Sequence, residues 1–502
     1  MSASLNGPRR ARELAALAGG EEVDLLVVGG GVSGTGVALD AVTRGLRVAL
    51  IEKADLAHGT SRWSSKLVHG GLRYLAKGDV AIAHESAVER GILMEHTAPH
   101  LVRALPMVTP VGTGMKRRRV PIAGTGLLLG DLLRLAARTP RSRLPRPRWI
   151  GPDEARSFAP AVKAKGLAGA LLSFDGQLVD DARLVVAIAR TAAGRGARIL
   201  TYCKAQSLDG SGADAVDVRT GESLRIRARH VINATGVWTN TLDPEVSLAP
   251  SKGSHLIFRA ERLGNPRAAL LAAVPGTISR FVFLLPQADG RVYLGLTDDA
   301  ADKVEDVPTV GDDEVRFLLD TINPALENPL TEDDIIGRFA GLRPLVAGEA
   351  GASADLSRRH RVLERADGVV TLVGGKLTTY RRMASDAVDH IAARDGIGPS
   401  VSAETPLVGA PHGARRPASV SPHLWSRYGA EAAAIAARAE ADPSLAKRVV
   451  PGLPYIRAEF AWSLSHEGAV EASDLVDRRT RIGLVEEDRA AAMPVAEAMM
   501  DA

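Results

Sequence analysis

Cysteine is nearly missing from this chain: Cys203 stands alone in 502 residues. One thiol excludes an internal disulfide and a thiol-rich metal site, and it suits a reducing, cytoplasmic setting. No resident metal is expected. Aromatic side chains are scarce too, at 4%, and the basic clusters lack interleaved aromatics, which argues against nucleic-acid binding through base stacking. Long apolar runs are absent. The most apolar window, 121–137, is broken by Asp131 and Arg134, so it is too short and too charged to span a bilayer. Residues 1–22 are Arg-containing and Ala-rich, with no apolar stretch before a small-residue cleavage site. They read as an arm, mobile or weakly helical, and not as a secretory signal.

What is present describes a globular chain. Hydrophobic residues make up 45% and charged residues 24%, enough for two or three domains around a large core. The net charge of +4 is modest but uneven. Lys116, Arg117, Arg118 and Arg119 precede Leu127, Leu128, Leu129, Leu132, Leu133 and Leu135; Arg134, Arg138, Arg141, Arg143, Arg146 and Arg148 follow. Two readings stay open here. A basic amphipathic segment can rest on an anionic membrane surface; a helix packed on the body and a solvated Pro/Arg loop would look the same.

The most informative stretch is Asp24–Lys53. An apolar run, Leu25–Val28, reads as a buried parallel strand and breaks at Gly29, Gly30, Gly31, Val32, Ser33, Gly34. A helical pattern follows, then a second strand, Val48–Ile51, with Glu52 at its end. Gly29 permits the tight turn, Gly31 lets backbone approach a pyrophosphate, and Gly34 lets the helix lie against the sheet with its N-terminus toward the anion. Glu52 is placed to accept from an adenosine ribose and would repel a 2′-phosphate, which disfavours NADP. Strand, loop, helix, strand and acid in this order form a dinucleotide site.

The chain then leaves and returns. Val80–Thr97 is helical in pattern, 99–121 reads as strands and loops, and Arg183–Gly194 as a helix capped by Asp180 or Asp181. His230–Ala234 is an apolar strand entering Thr235–Gly236. Strands are expected at His255–Phe258, Phe281–Leu285 and Val292–Leu296, in a block with a mixed or antiparallel sheet. Val369–Val373 is a further strand, and a helix starts near Thr378 or Thr379. The Pro- and Gly-containing stretch 396–413 marks a boundary, after which the pattern is helical. The expected division is an arm (1–22), a region 23–405 and a helical domain 406–502. Within the second, segments near 23–80, 180–245 and 345–395 build one nucleotide domain around an interleaved substrate domain. Separated segments meeting at one site suit a flavin held along its whole length.

Thr60–Tyr74 reads TSRWSSKLVHGGLRY. Ser61, Ser64 and Ser65 can donate to phosphate or ribityl oxygens, and Gly70 and Gly71 bring backbone close to a ring. This run resembles the signature of FAD-dependent glycerol-3-phosphate dehydrogenases. The blocks DGQLVDDARL (175–184), VINATGVW (231–238), KGSHLI (252–257), GLRPL (341–345), GGKLTTYR (374–381) and RTR (479–481) agree with it in order and spacing. The resemblance implies an α/β fold with a Rossmann-like FAD-binding domain of the glutathione-reductase and D-amino-acid-oxidase kind, a mixed-sheet substrate domain and a C-terminal helical domain. It implies oxidation of sn-glycerol 3-phosphate to dihydroxyacetone phosphate, electrons passing to membrane quinone, on the cytoplasmic face of the membrane. A homodimer is compatible with it.

Carried over by position, Gly29, Gly31, Gly34 and Glu52 hold the ADP half of FAD. Ser64, Ser65, Thr235 and Gly236 serve the pyrophosphate, ribityl and adenine side, and Gly375, Lys376, Leu377 and Thr378 the flavin end. Arg73, Tyr74, His255, Arg343, Arg358 and Lys376 match the substrate pocket, with His255, Arg343 and Lys376 as catalytic residues. The chemistry agrees: a phosphate favours arginine's planar fork, and histidine has a suitable pKa to take the C2 hydroxyl proton. His255 is the candidate base and His69 the second. Two positions depart from the pattern, Trp63 and Leu296. The alternatives are an oxidase giving electrons to oxygen, an amine or amino-acid oxidase of related fold, and a flavin-binding protein without turnover.

Overall fold

The computed structural model describes residues 2–501 except 72–78, 114, 117–119, 278–279 and 348–358. Val23–Val28 lies in the middle of a parallel sheet, between Ser223–Asn233 on one side and Val48–Ile51 on the other. Its apolar run follows from that place, because a central parallel strand is covered on both faces. Arg198–Leu200 and Val370–Gly374 extend the sheet in parallel at either side, and His360–Glu364 closes one edge antiparallel. Three helices, Val32–Thr43, Asp181–Gly194 and Tyr380–Asp395, pack together against it. Asp180 caps the second, accepting from the N–H groups of Ala182 and Arg183.

The second sheet is mixed and larger. Val102–Val111 and Gly169–Leu178 run antiparallel along their full length, and Ala269–Ala273 joins the first of them in parallel. Beyond it come Phe281–Pro286, Arg291–Gly295 and Ser251–Arg259, the last also paired with Gly337–Arg343. Helix Asp312–Ile322 covers this sheet through Val315, Leu318 and Ile322. The register sets Ser251 opposite Arg343 and His255 opposite Phe339. Period-two alternation therefore puts His255 and Arg343 on one face.

Residues 7–18, inside the expected arm, form a helix docked on the first sheet. Leu17 is fully buried and Arg10 pairs with Asp217 at 2.7 Å. Helix Val120–Ala136 sits on the body through Leu133, with Arg134 turned inward onto Asp131 and Thr139. Leu128, Leu129, Leu132 and Leu135 stay exposed. The helix is packed on the body, as one of the two readings expected, and its exposed leucines leave the other open. No described helix is long and apolar enough to cross a membrane.

The C-terminal helices Pro422–Tyr428, Ala432–Ala441, Arg457–His466 and Glu486–Met500 are joined to the body by buried ion pairs. Arg183 meets Glu467 through both oxygens, at 2.5 and 2.6 Å. Burial alone would raise the carboxyls of Asp55, Asp175 and Glu467, yet their arginine partners hold all three at about 2. His100 and His255 go the other way. Burial, then neighbouring cations, pushes each down to about 3. An unfolded chain protonates these histidines near 6.5, so it binds more protons than the fold between about pH 6.5 and 3. Stability should fall with decreasing pH across that window, by about 1.4 kcal/mol per pH unit for each histidine. The carboxylates extend the loss below about pH 4. A thermal-unfolding series against pH checks this; a midpoint flat from pH 7 to 4.5 would contradict it.

Candidate active site

Gly29 ends the first strand with φ +117°, and a Cβ there would stand 2.6 Å from the Ala234 carbonyl oxygen. A Cβ on Gly34 would lie 1.9 Å from the Gly29 oxygen. The helix Val32–Thr43 can approach its strand only because both side chains are missing. Gly31 is its N-cap, and Ser61 Oγ accepts the Val32 N–H at 2.9 Å. Glu52 receives the N–H groups of Gly30 and Ala54, at 2.6 and 2.9 Å; its burial raises its pKa against those bonds.

A cavity of about 500 Å³ opens from this turn. It is lined by Cys203, Thr235, Gly236 and Trp238, by Gly375, Lys376, Leu377 and Thr378, and by Ser64, Ser65, His69, His255 and Arg343. Burial pushes the Cys203 thiol up to about 12, so it is packing and not a nucleophile. The cradle suits a dinucleotide. Its turn has no side chains, a helix N-terminus points at it, and a carboxylate stands where a ribose would lie.

The charged groups are held from outside the cavity. Arg343 donates to Ser251 Oγ and Asp298 Oδ1, both at 3.0 Å. Lys376 Nζ reaches Ser86 Oγ at 3.0 Å, beside the turn Leu377–Thr379 that leads into helix Tyr380–Asp395. His255 stacks on Phe339 with centroids 4.5 Å apart, and its Nε2 bonds Ser65 Oγ at 2.8 Å. Its Nδ1 has no partner among the described residues. Behind Phe339 lies Lys66, fully buried and paired with Asp181 at 3.0 Å. Ser64 donates its hydroxyl to Asp181 at 2.7 Å, so toward a ligand it can only accept. His69 Nδ1 faces Asp175 Oδ2 at 3.5 Å, and Asp175 is fixed by Arg90 at 2.7 Å.

Gly29, Gly31, Glu52, Ser64, Ser65, Thr235, Gly236, His255, Arg343, Gly375, Lys376, Leu377 and Thr378 thus meet at one cavity, with Gly34 packed just beneath it. Arg73, Tyr74 and Arg358 lie outside the described residues. As site residues, sequence reasoning passed over Lys66, Asp175, Asp181 (read only as a possible helix cap) and Asp298. The two middle acids sit inside the DGQLVDDARL block, where acids among apolar residues were the available signal. The departures also fall here: Trp63 and Leu296 both line the cavity.

The model of the FAD dependent oxidoreductase family matches residues 24–381, and that of the C-terminal domain of alpha-glycerophosphate oxidase matches 369–502. Glycerol-3-phosphate dehydrogenase 1 of Mycobacterium tuberculosis is 50% identical, over 99% of this chain and 98% of its own. A mitochondrial glycerol-3-phosphate dehydrogenase of Arabidopsis thaliana is 33% identical, covering 96% of this chain and 83% of its own. The glycerol-3-phosphate dehydrogenase of Bacillus halodurans, solved with FAD, superposes with a TM-score of 0.75 at 26% identity, over 100% of this chain and 94% of that one. With the glycine turn, its acid and the sheet all in place, the chain belongs to the FAD-dependent oxidoreductases, in their glycerol-3-phosphate dehydrogenase branch, and its cofactor is FAD.

Proposed function

We propose that this protein oxidises sn-glycerol 3-phosphate at C2 to dihydroxyacetone phosphate, with membrane quinone as the final acceptor. The observation that carries the reading is the convergence of Arg343, His69, His255 and Lys376 on the cavity beside the glycine turn. Relatives matched over nearly the whole chain are named for that substrate. FAD, when bound, supplies the hydride acceptor. Arg343 binds the phosphate through paired, charge-assisted hydrogen bonds, its orientation fixed by Asp298 and Ser251. His69 takes the C2 hydroxyl proton, because Asp175 engages its Nδ1 and leaves the other ring nitrogen for substrate. His255, neutral above about pH 3, acts through Ser65, whose hydroxyl it holds in place at the cavity. Lys376 and the adjoining helix N-terminus give their end of the cavity a positive field. Arg73, Tyr74 and Arg358 complete the substrate contacts on sequence grounds.

Anaerobic mixing of the yellow protein with glycerol 3-phosphate should bleach the flavin promptly. No bleaching with FAD bound would sink the reading, and bleaching by amino acids instead would reassign the substrate. The C-terminal match to an oxidase domain favours a second reading, with oxygen as acceptor; stoichiometric peroxide under air would establish it.

The quinone reading requires contact with a bilayer, and helix Val120–Ala136 is our choice for it. Leu128, Leu132 and Leu135 are exposed at one helical face, and Arg138, Arg141 and Arg143 follow, also exposed. Apolar area flanked by arginine fits an anionic surface, here the cytoplasmic leaflet. The double variant Leu128→Glu, Leu132→Glu should stop co-sedimentation with phosphatidylglycerol vesicles and keep dye-linked activity. Unchanged sedimentation would place the contact elsewhere.

A further inference from the structure

Glu52 begins a loop, 52–63, that folds back over the glycine turn. Its first arm is tied to that turn by Glu52 and by the Ala57 N–H, which donates to the Gly30 oxygen at 3.0 Å. Its second arm ends near Ser61, which accepts the first N–H of the helix at the turn. The outer side of the loop is gripped by one short segment of the C-terminal domain. Arg479, fully buried, donates to both oxygens of Asp55, at 2.7 and 2.8 Å, across 424 residues of chain. Arg478 adds a third bond to Asp55 at 2.7 Å. Arg481 donates to the Arg62 carbonyl at 2.5 Å and lies over the Trp63 ring at 5.4 Å. Three arginines within four consecutive positions therefore hold both arms.

Attachment of a domain does not require this. Buried ion pairs lose much of their Coulomb gain to desolvation, so they are a poor adhesive, and the Arg183–Glu467 pair already joins the domain to the body without touching the loop. A bidentate arginine–carboxylate pair supplies something else, a fixed distance and plane. We propose that Arg478, Arg479 and Arg481 are positioning residues for the cofactor, holding the 52–63 loop so that Glu52 and Ser61 stay registered on the adenosine–pyrophosphate end of the cavity. The inference rests on that end of the cavity holding FAD.

The test is FAD release from diluted holoenzyme, followed by flavin fluorescence, in wild type, Glu52→Gln, Arg479→Lys and Arg183→Lys. Arg479→Lys keeps the charge and loses the fork. It should weaken FAD binding by about tenfold, the size of one such hydrogen bond, with KM for glycerol 3-phosphate at saturating FAD unchanged. Arg183→Lys, which loosens the same domain at the Glu467 carboxylate and leaves the bonds from Arg479 to Asp55 and to the Glu467 carbonyl in place, should hold FAD like wild type. Retention of FAD by Arg479→Lys alongside loss in Glu52→Gln would overturn the proposal, as would equal loss in Arg479→Lys and Arg183→Lys. Wild-type retention by Glu52→Gln would overturn the placement of FAD and the proposal with it. If Arg479→Lys yields no soluble protein, Arg481→Lys carries the same outcomes through the other arm.

Discussion

An Arg343→Ala variant should keep its FAD and lose its hold on glycerol 3-phosphate. The guanidinium offers a phosphate two charge-assisted hydrogen bonds, each worth about 1.5–3 kcal/mol. With water replacing part of that, about 3–4 kcal/mol remains, a rise in KM of roughly a hundredfold to a thousandfold. Arg343→Lys should recover only a fraction, because an ammonium cannot hold Asp298 and Ser251 while forking onto phosphate. Steady-state kinetics with a dye acceptor, at saturating FAD, reads the effect directly. A KM within threefold of wild type would move the phosphate elsewhere in the cavity.

His69→Ala should act on the other kinetic constant. Loss of a positioned general base costs about 10²–10⁴ in turnover, while the phosphate contacts, and so KM, stay nearly intact. Asp175→Asn should fall between wild type and His69→Ala, since Asp175 holds the ring by one contact and is itself held by Arg90. His255→Ala should lower turnover by about tenfold, the scale of one hydrogen bond. If His255→Ala costs the larger factor in turnover and His69→Ala only about tenfold, the two roles are exchanged.

Much of this was legible because it is local. The apolar run 25–28, the three glycines and Glu52 fall within one short stretch, and each residue type there has one physical reason. The strands expected at 255–258 and 281–285 lie inside Ser251–Arg259 and Phe281–Pro286, because alternation survives without knowledge of the partner strand. The supporting acids were not legible. Asp298 meets Arg343 across 45 residues, Asp175 meets Arg90 across 85, and Asp181 meets Lys66 across 115. No local pattern encodes a pairing at that separation. The expected arm shows the same limit. Residues 7–18 are too few to hold a helix by themselves, and their order is reinforced by partners such as Asp217.

The position of the strand Val23–Val28 sets a timetable for biosynthesis. One of its two neighbours, Val48–Ile51, emerges from the ribosome almost at once; the other, Ser223–Asn233, follows only after about two hundred more residues. At roughly 5–20 residues per second, an apolar strand edge waits unpaired for about ten seconds or longer, the kind of edge that recruits other chains. The flanking Val370–Gly374 comes later still, and Arg479 last of all. The nucleotide site, begun at the front of the message, is finished near its end. A nascent chain of this architecture therefore carries that unpaired edge through much of its synthesis.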